Sequence, residues 1–138
     1  MKQEVASFLD YVAHSPTVFQ ATQQACDMLD AAGFTRLSEH EAWEILPGGR
    51  YYVTRNRSAL VAFAVPENGF THCQIVASHG DSPTFKLKAH AEGEAAGAYI
   101  RLDVEPYGGM IMSTWFDRPL SIACLLYTSD AADDLTRV

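Results

Sequence analysis

The apolar positions of this chain change their spacing partway along, and the change separates helices from strands. Val5, Phe8, Leu9 and Val12 recur at the three- and four-residue steps of a helix, and Ser15-Pro16 interrupts them. A first helix is predicted near residues 2–13. Val18, Ala21, Ala25, Met28 and Leu29 form a second stripe, stopped by Gly33, which accepts the left-handed backbone of a helix end. The second helix is amphipathic, and its Met and Phe are expected in a core. From Tyr51 onward the step falls to two. Residues 51–55 and 59–65 are rich in aromatic and β-branched side chains on either side of Asn56-Arg57-Ser58, the pattern of a hairpin.

Residues 73–78 are a nearly continuous apolar run, the signature of a strand buried on both faces inside an α/β sheet. Beyond Pro83, Phe85, Leu87 and Ala89 alternate with Lys86, Lys88 and His90. Residues 92–97 read as an exposed loop, residues 99–104 alternate again, and Gly108-Gly109 marks a tight turn. No helical pattern is predicted between Pro83 and Ala123. The order is that of an α/β fold, helices and then a mixed sheet, leading into a β-rich second part.

The candidate chemistry sits where the buried run ends. Residues 75–83 read Ile-Val-Ala-Ser-His-Gly-Asp-Ser-Pro, which leaves His79 and Asp81 two positions apart at a strand mouth. A neutral imidazole is a metal ligand, and a carboxylate two residues away can orient it or hold a bridging water. Open α/β sheets place ligands at the carboxyl ends of their strands. A polar turn capping a strand has the same short pattern, so spacing alone leaves both readings open. His14, His40, His72 and His90 have no partner at ligand spacing and read as surface or capping residues. Asp117-Arg118, after Trp115-Phe116, is an acid–base pair that could join a buried ion-pair network, and a structural role at the domain junction is the favoured reading. Neither Ser82 nor Ser113 lies in a Gly-x-Ser-x-Gly elbow.

Six segments then occur in a telling order: Ser15-Pro16-Thr17, Ala32-Gly33-Phe34, residues 51–56, residues 78–83, Glu105-Pro106-Tyr107-Gly108-Gly109 and residues 115–121. In order and approximate spacing they resemble the aspartyl aminopeptidase family, cocatalytic zinc enzymes that remove acidic residues from peptide N-termini. The resemblance covers residues 1–123. It implies the amino-terminal part of a catalytic α/β domain over residues 1–90 and the beginning of a β-rich assembly domain over residues 91–123. It also implies two divalent ions, Zn2+, sharing a water whose pKa they lower, with a carboxylate as general base. Only His79, as one zinc ligand, and Asp81, as its orienting catalytic carboxylate, carry over. The bridging Asp, the base Glu and the other ligands lie downstream in the family. The implied protein takes peptide substrates and is a homo-oligomer at full length, whereas the chain as written is a fragment without activity. Gly80 stands where the family more often has Thr. A second class stays open: a scaffold or binding relative that keeps the fold without the metal site.

The resemblance stops at Cys124. Residues 124–133 can be written in one reading frame as TGT CTC TTA TAC ACA TCT GAC GCT GCC GAC, which reads as a transposase adapter used in sequencing libraries. Residues 124–138 are therefore expected to be non-native and to have no packing role. Removing the three Asp and one Arg of that stretch takes the net charge from −7 to −5. A moderately acidic chain of this kind is a poor nucleic-acid surface. Cys26 and Cys73 lie in no metal-ligand spacing and read as free thiols. No apolar leader or membrane-length run is present, so a cytoplasmic protein without membrane contact is expected.

Overall fold

Neighbouring residues of a strand face opposite sides of a sheet, and two consecutive tyrosines use that alternation to build most of the core. The structure, a computed structural model, describes residues 2–126. It divides into two units, one reaching from the amino terminus to Gly80 and including the described residues from Ala123 on, the other Asp81–Ile122.

The first unit contains α1 (Gln3–Ala13), α2 (Val18–Ala31), β1 (Thr35–Leu37), β2 (Arg50–Arg55) and β3 (Ala59–Ala64). Pro16 disfavours helical backbone at Ser15 and so separates the helices. Thr17 restarts the chain as the N-cap of α2, accepting the Phe19 N–H at 3.3 Å while its hydroxyl donates to Gln20 Oε1. The helix ends in a Schellman arrangement: Phe34 N–H donates to the Leu29 carbonyl and Gly33 N–H to that of Asp30, both at 3.0 Å, with Gly33 at φ +78°. β1 then pairs parallel to β2, and β2 antiparallel to β3, which makes a mixed three-stranded sheet in the order β1-β2-β3. Asn56 and Arg57, both at positive φ, form the β2–β3 turn, whose hand matches strand twist.

Tyr52 faces α2, where its hydroxyl donates to Asp30 Oδ1 at 2.7 Å. Tyr51 faces the other side and meets Phe63, its cross-strand partner, with ring centres 5.6 Å apart. Trp43 stacks on Phe63 from beyond, and the Tyr51 hydroxyl accepts the Leu46 N–H at 3.0 Å, so the segment 43–49 covers this face. Cys26, Thr22, Tyr51 and Tyr52 are the buried residues among those described.

The second unit is a hairpin of β4 (Thr84–Ala95) and β5 (Tyr99–Tyr107), followed by a single 3-10 turn at Met112–Trp115. Ala96 and Gly97, at φ 52° and 65°, close it. The ladder shifts register between Leu87, opposite Val104, and Glu92, opposite Leu102, so residues 88–91 bulge across from Asp103. Phe85 packs edge-on against Trp115 at 5.4 Å and anchors the turn to the hairpin.

Several expectations are corrected. Residues 73–78 form no strand: Ile75 and Val76 are 81% and 90% exposed. A strand buried on both faces needs neighbours to complete its ladder, and among the described residues no strand pairs with this run. Residues 92–95 belong to β4 rather than to a loop, because the turn chemistry lies at Ala96-Gly97. A 3-10 turn stands where no helical pattern was expected, too short to show a period. Met28 is exposed, and the line of α2 toward the sheet is Thr22, Cys26 and Asp30 at four-residue spacing. The apolar stripe of α1 also faces solvent; Tyr11 ties that helix to α2 by donating to the Ala21 carbonyl at 3.1 Å.

The described part of the tail is not without contacts. Gln20 Nε2 donates to the Cys124 carbonyl at 3.5 Å, and half-buried Leu125 lines a cavity of about 150 Å³ with Phe19, Cys26, Arg36 and Thr54. An apolar side chain settles on apolar surface whatever its origin. The rest of the tail lies outside the described residues.

Candidate functional site

His79 ends the extended segment that follows residue 73 and is exposed. Its neighbour Gly80 passes close to two elements of the first unit: a Cβ there would meet the Ser58 carbonyl at 3.6 Å and Val18 Cγ2 at 3.7 Å. The segment therefore runs beside the β2–β3 turn and the first residue of α2. Its polar residues come at the end of an apolar run, as predicted, but the run itself is not in a ladder.

Asp81 opens the second unit. Its Oδ2 accepts a hydrogen bond from the Tyr107 hydroxyl at 2.6 Å, and that bond, with the carboxylate charge, holds the Tyr107 phenol above its ordinary pKa. Tyr107 is the last residue of β5, opposite Thr84, and Gly108 turns the chain against Pro83. Nothing in hydropathy or motif spacing marks Tyr107 as a partner of Asp81; the only signal is that Tyr107 lies in the Glu-Pro-Tyr-Gly-Gly block, one of the six segments that carry the resemblance. His79 and Asp81 fall in different units, and each is placed here by its own surroundings.

The other candidates settle into structural positions. His14 caps α1, its Nδ1 2.9 Å from the Asp10 carbonyl. His40, His72 and His90 are exposed. Asp117 and Arg118 pair with each other at 2.9 Å, both 62% exposed, which corrects the expectation of a buried network: adjacent side chains at the surface reach one another without help. Burial pushes the Cys26 thiol up, away from the thiolate a nucleophile needs.

A zinc centre takes three or four protein ligands. Among the described residues no group of three or more His, Cys, Asp and Glu side chains could hold a metal ion. By themselves, then, these residues do not fit a zinc site. No helix among the described residues is long and apolar enough to cross a membrane.

Similarity to known proteins extends over most of the chain. It is 45% identical over 118 residues to a probable M18 family aminopeptidase 2 of Clostridium novyi, covering 83% of this chain and 27% of the relative. It is 46% identical over 123 residues to aspartyl aminopeptidase 1 of Schizosaccharomyces pombe, covering 84% and 25%. The chain thus spans about a quarter of the length of these relatives. Among solved structures, Chaetomium thermophilum mApe1 superposes with a TM-score of 0.74 at 33% identity, over 82% of this chain and 26% of that one. The S. cerevisiae mApe1 dodecamer superposes at 0.72 and 30% identity, over 84% and 28%. The profile described as aminopeptidase I zinc metalloprotease (M18) matches residues 11–137, and so also overlaps the tail assigned to an adapter. From helix-then-mixed-sheet order to these matches, the observations agree that the chain belongs to the M18 family of aminopeptidases.

Proposed function

We propose that this chain is the amino-terminal portion of a metal-dependent aminopeptidase that releases aspartyl and glutamyl residues from peptide N-termini, and that it is inactive by itself. The observation that carries the reading is the His79-Gly80-Asp81 sequence, present in a chain 46% identical over 123 residues to an aspartyl aminopeptidase. In the longer protein His79 serves as one zinc ligand and the Asp81 carboxylate fixes its imidazole, the usual division between a ligand and its outer partner. Zinc held there together with ligands from the longer chain would supply an activated water and polarise the scissile carbonyl. The base and the remaining ligands belong to chain beyond Ala123.

One structural feature supports an incomplete unit. The exposed run at 73–78 becomes a strand once neighbouring strands complete its ladder, which brings His79 to a strand end. The crossing from the catalytic to the assembly domain is proposed near residue 90, within β4, whereas the structure divides at Asp81. The complete protein assembles as a homo-oligomer in the cytoplasm; a relative superposing at a TM-score of 0.72 is a dodecamer. Residues 124–138 remain, in this reading, an adapter translation.

The test is the uninterrupted gene. Its product should carry a Glu-Glu pair with further Asp and His ligands after residue 123, and should cleave aspartyl and glutamyl chromogenic substrates in preference to neutral ones. A complete frame lacking those ligands would make the protein a non-catalytic relative.

A further inference from the structure

The cavity that Leu125 lines is walled also by Gln23 and Cys26 of α2, Arg36 of β1, Thr54 of β2 and Arg57 of the β2–β3 turn. Among the described residues two cations and no Asp or Glu line it, in a chain whose net charge is −7. The carboxylates of the surrounding elements are held by other donors: Asp27 by Gln23 Nε2 at 2.8 Å, Asp30 by the Tyr52 hydroxyl and Glu39 by Arg55 Nε, both at 2.7 Å. Glu41 borders an adjoining cleft that the two arginines share, and forms an ion pair with neither. Both guanidinium groups are exposed and open to a ligand. Arg36 Nη2 donates to Thr54 Oγ1 at 3.4 Å, which leaves that hydroxyl its own proton to give.

Arg57 holds its place in this wall at a backbone cost. Its φ is +56°, in the left-handed region, directly after Asn56 at +52°. Glycine is the unstrained residue at the second position of such a turn, and a long side chain there is an outlier. Strain of this kind persists where the side chain has a use. We infer that the cleft binds a phosphoryl group through Arg36, Arg57 and Thr54. A carboxylate has two oxygens and is satisfied by one guanidinium fork, whereas a phosphate presents enough oxygens for two forks and a hydroxyl. Its charge of about −1.5 to −2 at neutral pH also matches two cations.

Inorganic phosphate titrated into the 138-residue chain at constant ionic strength, followed by NMR, tests the site. The Thr54 amide and the Nε–H signals of Arg36 and Arg57 should shift together and saturate, with a Kd on the order of 1 mM. Arg57→Gly removes the guanidinium while relieving the backbone, so it should melt no lower than the unmodified chain and bind phosphate about tenfold more weakly, the factor for one lost charge-assisted contact. Arg36→Gln should weaken binding to the same extent; should that variant unfold, Arg57→Gly decides alone. Arg50→Gln makes the same change of charge at a residue that stands over the Phe34 ring and lines neither cleft, and should leave the affinity unchanged. Glycerol phosphate in a parallel titration separates the two sources of the group: tighter binding than the free ion marks a phosphate ester as the ligand, weaker binding marks the free ion, and both support the site. Shifts that do not saturate, an unchanged affinity in Arg57→Gly, or an equal loss in Arg50→Gln overturn the inference. Acetate bound as tightly as phosphate overturns it as well, because one fork would then suffice.

Discussion

Tyr52, with no exposed surface, donates its hydroxyl proton to Asp30 Oδ1 across 2.7 Å and so joins the middle strand to the last turn of α2. Burial, and then the bond and charge of Asp30, push the phenol up to about 12 from an ordinary 10.0. The folded value lies above the unfolded one, so the neutral phenol stabilises the fold fully below pH 10 and this contribution is lost as pH rises toward about 12. Urea midpoints across that window should fall in the unmodified chain. Tyr52→Phe should flatten this fall, at a loss of roughly 1.5–3 kcal/mol near neutral pH for the missing bond to a charged acceptor. An equally steep fall in the variant would remove Tyr52 as its source.

Gly49 lies directly against Tyr51. A Cβ there would overlap the Tyr51 ring and hydroxyl, and that ring is buried between Phe63 and the segment 43–49. Gly49→Ala should destabilise the fold by about 1–3 kcal/mol, the usual range for overpacking. Thermal melts should show it, and Tyr51 fluorescence should report the displaced ring. A stability change below about 0.5 kcal/mol, the scatter of neutral surface changes, would contradict the packing described for this face.

Gly80 is the converse case. Its backbone is not left-handed, and a Cβ would meet only ordinary contacts with Ser58 and Val18. Gly80→Ala should raise stability by about 0.4–1 kcal/mol by restricting the unfolded chain, whereas Gly33→Ala, at φ +78°, should lower it. Denaturation of the two variants side by side decides this, since equal effects would mean that the two glycines do not differ in backbone demand.

Purified 138-residue protein should show no turnover of aspartyl or glutamyl chromogenic substrates, with or without added zinc. One imidazole cannot complete a centre that needs three or more protein ligands. Activity above that of a His79→Ala control would overturn the reading of the chain as an inactive part.

Truncation after Ala123 should lower stability by no more than about 1 kcal/mol, the scale for half-burying one leucine. Leu125 is one of several residues that line the cavity. Genomic sequence across codon 123 should depart from the present one after Ala123. A large stability loss, together with genomic reads carrying the same codons, would make residues 124–138 native.

The elements held by local chemistry were readable in advance. Ser15-Pro16, Gly33 and Asn56-Arg57 punctuate the chain at the positions where the structure turns: Pro16 restricts its own and the preceding backbone, and Gly33 and Asn56 are residue types that admit positive φ without help from distant residues. What packing decides was harder to see. Thr22 and Cys26 are small and weakly apolar, so hydropathy pointed to Met28 as the inward residue of α2. β1, a strand of three residues, is too short to show a period and exists through its parallel pairing with β2. The run 73–78 has the composition of a central strand but not the neighbours that would make it one. At the candidate site His79 and Asp81 could be picked out from residue type and position, whereas the Tyr107 bond depends on the β4–β5 register, which no short pattern encodes.

The outward stripe of α1 bears on the fate of the molecule in a cell. Val5, Phe8, Leu9 and Val12 present one continuous apolar helix face to water, with Phe8 63% exposed. Chaperones and proteases triage chains according to how much of their population is unfolded, and a chain with such a face gains little stability from that helix. A chain that exposes such a face is expected to be cleared quickly, so that its abundance, before its chemistry, limits what it does in a cell.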